Sequence, residues 1–534
     1  MLKRECRILP CRTENFGGDL FFDFGRDAFA VLRIEAEAEC GQEITLAVGE
    51  VLLSGRIHRE PGGSRIYQEQ TVRLEPGSNR IDMTMFHPGY NQGTLPVEPN
   101  AVPFRYAEVR GFRGTRLRAV QRAFFGAFDD AASDFRSSSP ALDRIWEFCK
   151  YTMKATSLFG VFIDGNRERQ AYEGDTLVNQ LSWFACEREP EIARRTIDRL
   201  FEYPTWPTEW RLAMIPVVHD YLLYTGDMEN VLRWYEPLKR KNLLSGVRED
   251  GLLEADRISP EEKLCPGFGA SGKVADLIDW PPGERDGYEI GPVNLVPNCW
   301  QYMALCRSAE IADLTGRNTD AGFFRAAARR SRAAIRRTMF KNGFFVDNPD
   351  SDHIALHSCI FPVLWNVAED SEKGPILKKM LSRGMACSVF IAQFLLECCY
   401  RNGLAAEALA RILSGGLRSW NNMLAKGATI TMEAWDDSFK PNQDWNHPWG
   451  AAPANIIVRH LCGIRPVEPG FRTFAVDPRP GPLTGFFLRT PTPSGSVELE
   501  MREPGRYRLL VPEGTRAVYG TRIFSAGVHH LQRQ

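Results

Sequence analysis

The chain has 534 residues, and 66 Lys and Arg against 67 Asp and Glu leave a formal net charge of −1, which supplies no electrostatic footprint for nucleic acid or an anionic membrane. With 43% hydrophobic and 25% charged residues the composition is that of a globular protein, so disorder, collagen and coiled coil are excluded for the whole. At roughly 150 residues per domain the length predicts two to four domains with ample core.

The first stretch, 1–135, reads as β by pattern. Alternating or apolar runs recur at AFAVLRIEAE (28–37), EITLAVGEVLL (43–53), RIDMTMF (80–86) and RYAEVRGF (105–112). Turn chemistry separates them, as in EPGGS (60–64) and EPGSN (75–79), because Pro fixes φ and Gly frees it where a strand must reverse. This is the grammar of an antiparallel sandwich. The pattern changes near Ser137. Ser139 stands as an N-cap, Pro140 follows at the first helical position, and apolar residues recur at helical spacing through 157. Helical segments then dominate 136–462, including 176–187, 191–203, 213–226, 296–316, 321–340, 388–403, 405–416 and 451–463. Short Gly-containing turns make sequential helices antiparallel neighbours. About twelve such helices can close as an inner ring of six within an outer six, although pattern alone does not establish closure. Strand grammar returns over 463–534, enough for a compact antiparallel sheet packed on the helical body.

Thirteen scattered cysteines without a C-x-x-C pair argue against a disulfide framework or zinc ribbon. Reduced thiols, no signal-peptide pattern and no membrane-length apolar run predict a cytoplasmic protein. GFGASGK (267–273) has the form of a phosphate loop, but Val274 replaces the Ser or Thr that would hold Mg²⁺. His353 and His357 are an i, i+4 pair with no Glu between them, so packing is expected rather than zinc.

The densest polar cluster is FIDGNRERQAYEGD (162–175), a loop leading into a helix. It reads either as a solvated capping loop, with Asp175 as N-cap, or as carboxylates aimed into a cavity beside arginines. A second cluster, 429–455, places Glu433, Asp436, Asp437, Asp444 and His447 among Trp435, Trp445 and Trp449. Carboxylates take sugar hydroxyls bidentately and indoles take the apolar ring face, so this resembles a sugar subsite. LIDWPPGERDGYEIGPVN (277–294) offers Asp279, Trp280, Glu284 and Asp286, and PTWPTEW (204–210) offers Glu209 and Trp210. Four such loops are what one rim of a helical toroid gathers into one pocket.

Together these blocks resemble the bacterial α-L-rhamnosidases of glycoside hydrolase family 78, over nearly the whole chain. LAVGEVLLSGRIHRE (46–60) and PFRYAEVRGF (103–112) look like that family's preceding β-sandwich. DGNRERQAYEGD (164–175) looks like its acidic signature, and IDWPPGERDGY (278–288) and the 433–455 block follow in the family's order. Tyr172 stands where many members have Trp, and three residues separate Asp164 from Glu168 where some members have more. The resemblance implies a multidomain α plus β protein, an (α/α)6 helical toroid flanked by antiparallel β-sandwich domains. It also implies an inverting hydrolase acting on a rhamnose-containing glycoside, with Glu168 as general acid and Glu433 as general base. Asp164, Arg167 and Asp175 fall where members hold rhamnose hydroxyls; Tyr172, Trp210, Trp280 and His447 fall on pocket-lining positions. Inversion needs room for water between the two carboxyls, ~6.5–9.5 Å. No cofactor or metal is required, because no phosphoryl or carbonyl must be polarised. Neither nucleic acid nor membrane is expected as a partner, and a homo-oligomer is left open. Two other readings stand beside this one: a non-catalytic carbohydrate-binding protein, and an inverting (α/α)6 glycosidase for another sugar.

Overall fold

The computed structural model describes residues 4–87, 94–97, 99–263 and 274–532; the GFGASGK stretch lies outside the described residues. The N-terminal region is built on one long strand, Asp19–Ala38. It pairs antiparallel with Val102–Arg110 and Gly114–Phe125, and also with Arg12–Phe16 and Gly77–Asp82. A strand of 20 residues cannot stay straight against its neighbours, and its register with Val102–Arg110 shifts between Asp23 and Ala28. Gly25 supplies the left-handed backbone there, at φ +83°. The irregularity turns Asp27 toward the helical body. Its backbone N–H donates to the Thr429 hydroxyl at 2.8 Å, and that hydroxyl donates back to Asp27 Oδ2 at 3.0 Å. The sheet is thereby tied to the segment that carries Glu433.

Among the described residues, twelve helices form two concentric rings. The inner six are Glu173–Cys186, Thr208–Thr225, Leu295–Leu314, Leu356–Leu364, Val389–Arg401 and Ala452–Ile456. Each packs on the next, and the last packs on the first, so the ring is closed. Every residue of Glu173–Cys186 and of Leu356–Leu364 is buried, as helices surrounded by others must be. The outer six are Pro140–Ala155, Glu191–Glu202, Met228–Arg240, Asn318–Met339, Asp370–Ser382 and Ala405–Ile412. These are one-sided: Glu191–Glu202 buries Ile192, Ala193, Thr196, Ile197 and Leu200 along one face. Ser139 caps the first helix as expected, its side chain accepting from the Leu142 N–H, with Pro140 at the start.

The C-terminal strands form two sheets. One holds four strands, Ile464–Pro466, Thr473–Val476, Arg516–Tyr519 and Arg522–Phe524. The other holds five, and its edge strand is Asp134–Ser137, which pairs with Phe486–Thr492 from the far end of the chain. The segment entering the helical body is thus bound to the one leaving it. No described helix is long and apolar enough to cross a membrane.

Candidate active site

Residues of the site come from the N-terminal ends of the inner helices and the loops before them. The 164–172 loop is closed by Asp164, whose N–H donates to Gln170 O at 2.7 Å and whose Oδ1 accepts the Gln170 N–H at 2.9 Å. Arg169, fully buried at φ +51°, points away from the site. It donates to Ala101 O at 2.7 Å and lies over the Phe29 and Phe159 rings, anchoring the loop on the β-sandwich. Gly165 is required because a Cβ there would lie 2.4 Å from Asp444 Oδ2. Its neighbour Arg167 donates its backbone N–H to that same oxygen at 3.1 Å.

The Arg167 side chain joins the two candidate catalytic carboxylates. Nη1 reaches Glu433 Oε2 at 3.0 Å, and Nη2 reaches Glu433 Oε1 at 3.2 Å and Glu168 Oε1 at 3.2 Å. Since one nitrogen is bonded to both, the nearest oxygens of Glu168 and Glu433 lie no further apart than twice that length. This is at or below the near end of the ~6.5–9.5 Å expected of an inverting pair. Glu168 is partly buried and also accepts the Tyr172 hydroxyl. Glu433 is only 3% exposed, and it takes Lys440 Nζ at 3.0 Å and the Asp444 N–H at 3.0 Å. Burial acts to raise its pKa, but Arg167, with Lys440 behind it, takes it down to about 2. Asp444 is held up at about 7, by burial against the pull of Arg167 and with the push of Glu433. Burial, and then the neighbouring Glu168 and Asp444, lift Asp164 well above the carboxylate range; burial and Glu433 do the same to Asp175. Burial takes His447 down to about 3, leaving it neutral.

One wall is aromatic. Tyr172 meets Trp210 edge to face at 5.5 Å, and Trp210 meets Phe390 in the same way at 6.0 Å. Gly174 fits under the Trp210 indole, where a Cβ would come within 2.4 Å of Nε1. Buried polar atoms without a hydrogen-bond partner converge here: Asp175 Oδ1, Asp444 Oδ1, Trp210 Nε1 and His447 Nδ1. His447 Nε2 lies 3.6 Å from that same Asp175 Oδ1, beyond hydrogen-bond length, and its ring lies tilted against Trp449 at 4.2 Å.

Asp164, Arg167, Glu168, Tyr172, Asp175, Trp210, Glu433 and His447 therefore form one constellation. Trp280 is half-buried and is not among the residues these contacts bring together; its neighbour Asp279 accepts the N–H groups of Trp280 at 2.7 Å and Ser388 at 2.9 Å and contacts His357 Nε2 at 2.8 Å. Several expected rim residues do structural duty instead. Glu209 accepts the Leu277 and Ile278 N–H groups, Glu284 is forked by Arg418, and Asp286 accepts the Leu356 N–H. Trp435, expected beside a sugar, is wholly buried against Trp420 and donates to Cys387 O at 2.8 Å. Asp175 sits in the first turn of Glu173–Cys186 rather than at its N-cap, which is Tyr172. His353 turns to Asp347 at 2.6 Å and His357 to Asp279, so the pair shares no ligand position. Asp444 belongs to the 429–455 cluster read as a sugar subsite, without a role of its own, and Lys440 was not singled out; its signal was the density of charge around Trp445 in FKPNQDW.

A closed ring of six helical hairpins with facing carboxylates at one end defines the six-hairpin glycosidase class. Family comparison is more specific. Residues 130–461 match the bacterial alpha-L-rhamnosidase 6 hairpin glycosidase domain, residues 14–125 the concanavalin-like domain of those proteins, and residues 463–519 their C-terminal domain. The chain belongs to the bacterial α-L-rhamnosidase family. Its fold is similar to that of the α-L-rhamnosidase of Aspergillus terreus (TM-score 0.79, 15% identity, covering 99% of this chain and 64% of that one). It is likewise similar to the Streptomyces avermitilis α-L-rhamnosidase complexed with L-rhamnose (0.77, 17%, 99% and 53%) and the GH78 rhamnosidase of Bacillus sp. GL1 (0.73, 19%, 95% and 55%). The chain thus spans between about half and two thirds of the length of these relatives. No curated protein matches it.

Proposed function

We propose that this protein is an α-L-rhamnosidase that releases terminal α-L-rhamnose with inversion, Glu168 acting as general acid and Glu433 as general base. The observation that carries the reading is the Arg167 guanidinium bonded to both carboxylates, which brings two loops far apart in sequence onto one reaction centre. Glu433 is suited to the base because it is ionised at neutral pH. A pKa of about 2 makes it a weak base while Arg167 is bound to it. A sugar hydroxyl that draws Arg167 toward itself would restore basicity as the substrate enters. The partnerless atoms of Asp175, Asp444, Trp210 and His447 supply donors and acceptors for sugar hydroxyls. Asp164 contributes mainly by closing the loop, with the remaining carboxylate oxygen available to substrate. The Tyr172–Trp210 wall suits the C5 methyl of rhamnose, where other hexoses carry a polar CH₂OH. Buried, unpaired thiols such as Cys149, Cys299 and Cys398 support a reducing, cytoplasmic setting.

A second reading has its own observation. The bound that the shared Arg167 Nη2 sets on the separation also admits the ≈5–5.5 Å of a retaining pair, in which Glu433 would attack the sugar directly. The anomer released distinguishes the two. Substrate identity is tested by kcat/KM on aryl glycosides. The α-L-rhamnoside should be fastest, the manno-configured L-sugar lacking the methyl roughly 10–200-fold slower, and the α-L-fucoside rejected. Faster cleavage of a fucoside or a D-glucoside would assign the site to another sugar, and binding without cleavage of any would make it a carbohydrate-binding protein.

A further inference from the structure

A second polar cavity, of about 490 Å³, opens at the other end of the helical ring, where the inner helices finish and the C-terminal strands begin. Its volume lies in the range of small-molecule sites. His219 and Tyr224 reach it from the end of Thr208–Thr225, Tyr400 and Arg401 from the end of Val389–Arg401. Arg459 and His460 come from the π-helical turn Ile457–Leu461. Such turns widen a helix by a residue and recur at functional sites. None of these residues takes part in the site described above.

Charge in this cavity is unevenly matched. Arg401 and Arg459 share one carboxylate, Glu397, at 3.5 and 3.8 Å. Arg465 and Arg479 share another, Asp477, at 3.4 and 3.0 Å. Four guanidinium groups thus face Glu397 and Asp477 through mostly long contacts, while Arg307 shares Glu310 with His219, and Asp220, 3.6 Å from His219, also acts on Arg459. The negative ends of two helices complement Arg401 and Arg459. Arg465 and Arg479 lie beyond the helical body and reach the same two helix ends, donating to Arg459 O at 2.8 Å and Tyr400 O at 2.7 Å. Burial, and the proximity of Arg459 and Arg479, push the Arg465 pKa below its usual value, as expected where cations crowd. Three buried polar atoms of cavity-lining residues lack a hydrogen-bond partner: His219 Nδ1, Tyr400 Oη and His460 Nε2, the last 3.8 Å from Glu397. The Tyr400 and His460 rings stack at 6.1 Å.

We propose that this cavity binds a small oxyanion, of phosphate to sugar-acid size, forked by the Arg401, Arg459, Arg465 and Arg479 guanidinium groups, with Tyr400 and His460 completing its hydrogen bonds. Guanidinium donors match phosphate and carboxylate oxygens in pairs. An anion there would join the end of the helical ring to the C-terminal sheet, since Arg479 also donates to Tyr400 O at 2.7 Å.

Calorimetric titration of the full chain with inorganic phosphate, D-glucuronate and neutral glucose at matched ionic strength tests this. Phosphate, glucuronate or both should bind with Kd near or below about 1 mM, and glucose should not. Binding of phosphate alone would identify a bare oxyanion as ligand, and of glucuronate alone a sugar acid. Arg401→Gln with Arg479→Gln removes two partly exposed cations and should weaken binding at least tenfold. Saturating L-rhamnose should leave the wild-type titration unchanged, separating this cavity from the Arg167 site. Failure of both anions to bind, equal binding of glucose, competition by rhamnose, or unaltered binding in the double variant would each overturn the proposal. Should the double variant fail to fold, Tyr400→Phe, which removes one donor at constant shape, must weaken binding by a measurable factor.

Discussion

At the scale of single residues, the site rests on a cation placed between two carboxylates with different surroundings. Arg167 contacts Glu168 next to it and Glu433 at a separation of 266 positions, and Lys440 adds a second cation only on the Glu433 side. That asymmetry divides the labour. In the proposed mechanism the carboxylate with two cations, held ionised, is the base, and the one against the Tyr172 hydroxyl beside the aromatic wall is the acid. Glu168→Gln should therefore lower turnover by roughly 10²–10⁴-fold on rhamnosides with poor leaving groups. On an activated aryl rhamnoside, which needs little protonation, the loss should be much smaller. Glu433→Gln should be inactive on both, and azide should partly rescue Glu433→Ala by taking the place of the attacking water. Equal losses for both variants on both substrates would contradict the assignment.

Elements place these residues, and much of their placement was legible from pattern. Ser139 and Pro140 marked a helix start because capping is local chemistry, and it is made as read. The 164–175 loop stood out because so many charges between two apolar runs cannot be buried without partners. Of the twelve helices expected in the rings, three were not placed along the chain: Met228–Arg240, Leu356–Leu364 and Asp370–Ser382. Each contains a proline, at 237, 362 and 375, and Leu356–Leu364 is also apolar all round, so neither propensity nor amphipathic period marked it. Trp435 looked like a sugar platform because sequence shows residue type but not depth; only packing against Trp420 reveals it as core. The roles of Glu209 and Asp279 were hidden for a related reason, since their partners are backbone N–H groups of distant loops. Contact between the first turn of Glu173–Cys186 and Trp210 gives a test at this scale. Gly174→Ala would drive a Cβ into the indole, shifting Trp210 or the helix start. The expected result is a loss in kcat/KM of about 10²-fold with helical content retained. Wild-type kinetics in that variant would show that Trp210 does not shape the pocket.

Across the whole molecule, the N-terminal sandwich is part of the active-site architecture. Arg65 pairs with Asp437 at 2.6 Å, Ser64 donates to Asn442 O at 2.9 Å, and Asn446 reaches Glu50 at 3.1 Å, so the loop bearing Asp444 is held from the sandwich side. Asp27 stands at the same junction, with burial pushing it up to about 7. A carboxyl raised in the folded state contributes fully below its ordinary value near 3.8, and that contribution is lost as pH rises through about 7. Asp27→Asn removes the loss, so its thermal stability relative to wild type should improve between pH ~5 and pH ~8. A difference in Tm independent of pH would show that Asp27 is not protonated in the fold. The account as a whole meets its most direct test in the first product formed. With an aryl α-L-rhamnoside as substrate, proton NMR followed through the first minutes should show β-L-rhamnose appearing before mutarotation supplies the α anomer. Initial release of α-L-rhamnose would establish retention and make Glu433 a nucleophile, and no release of rhamnose at all would contradict the central claim.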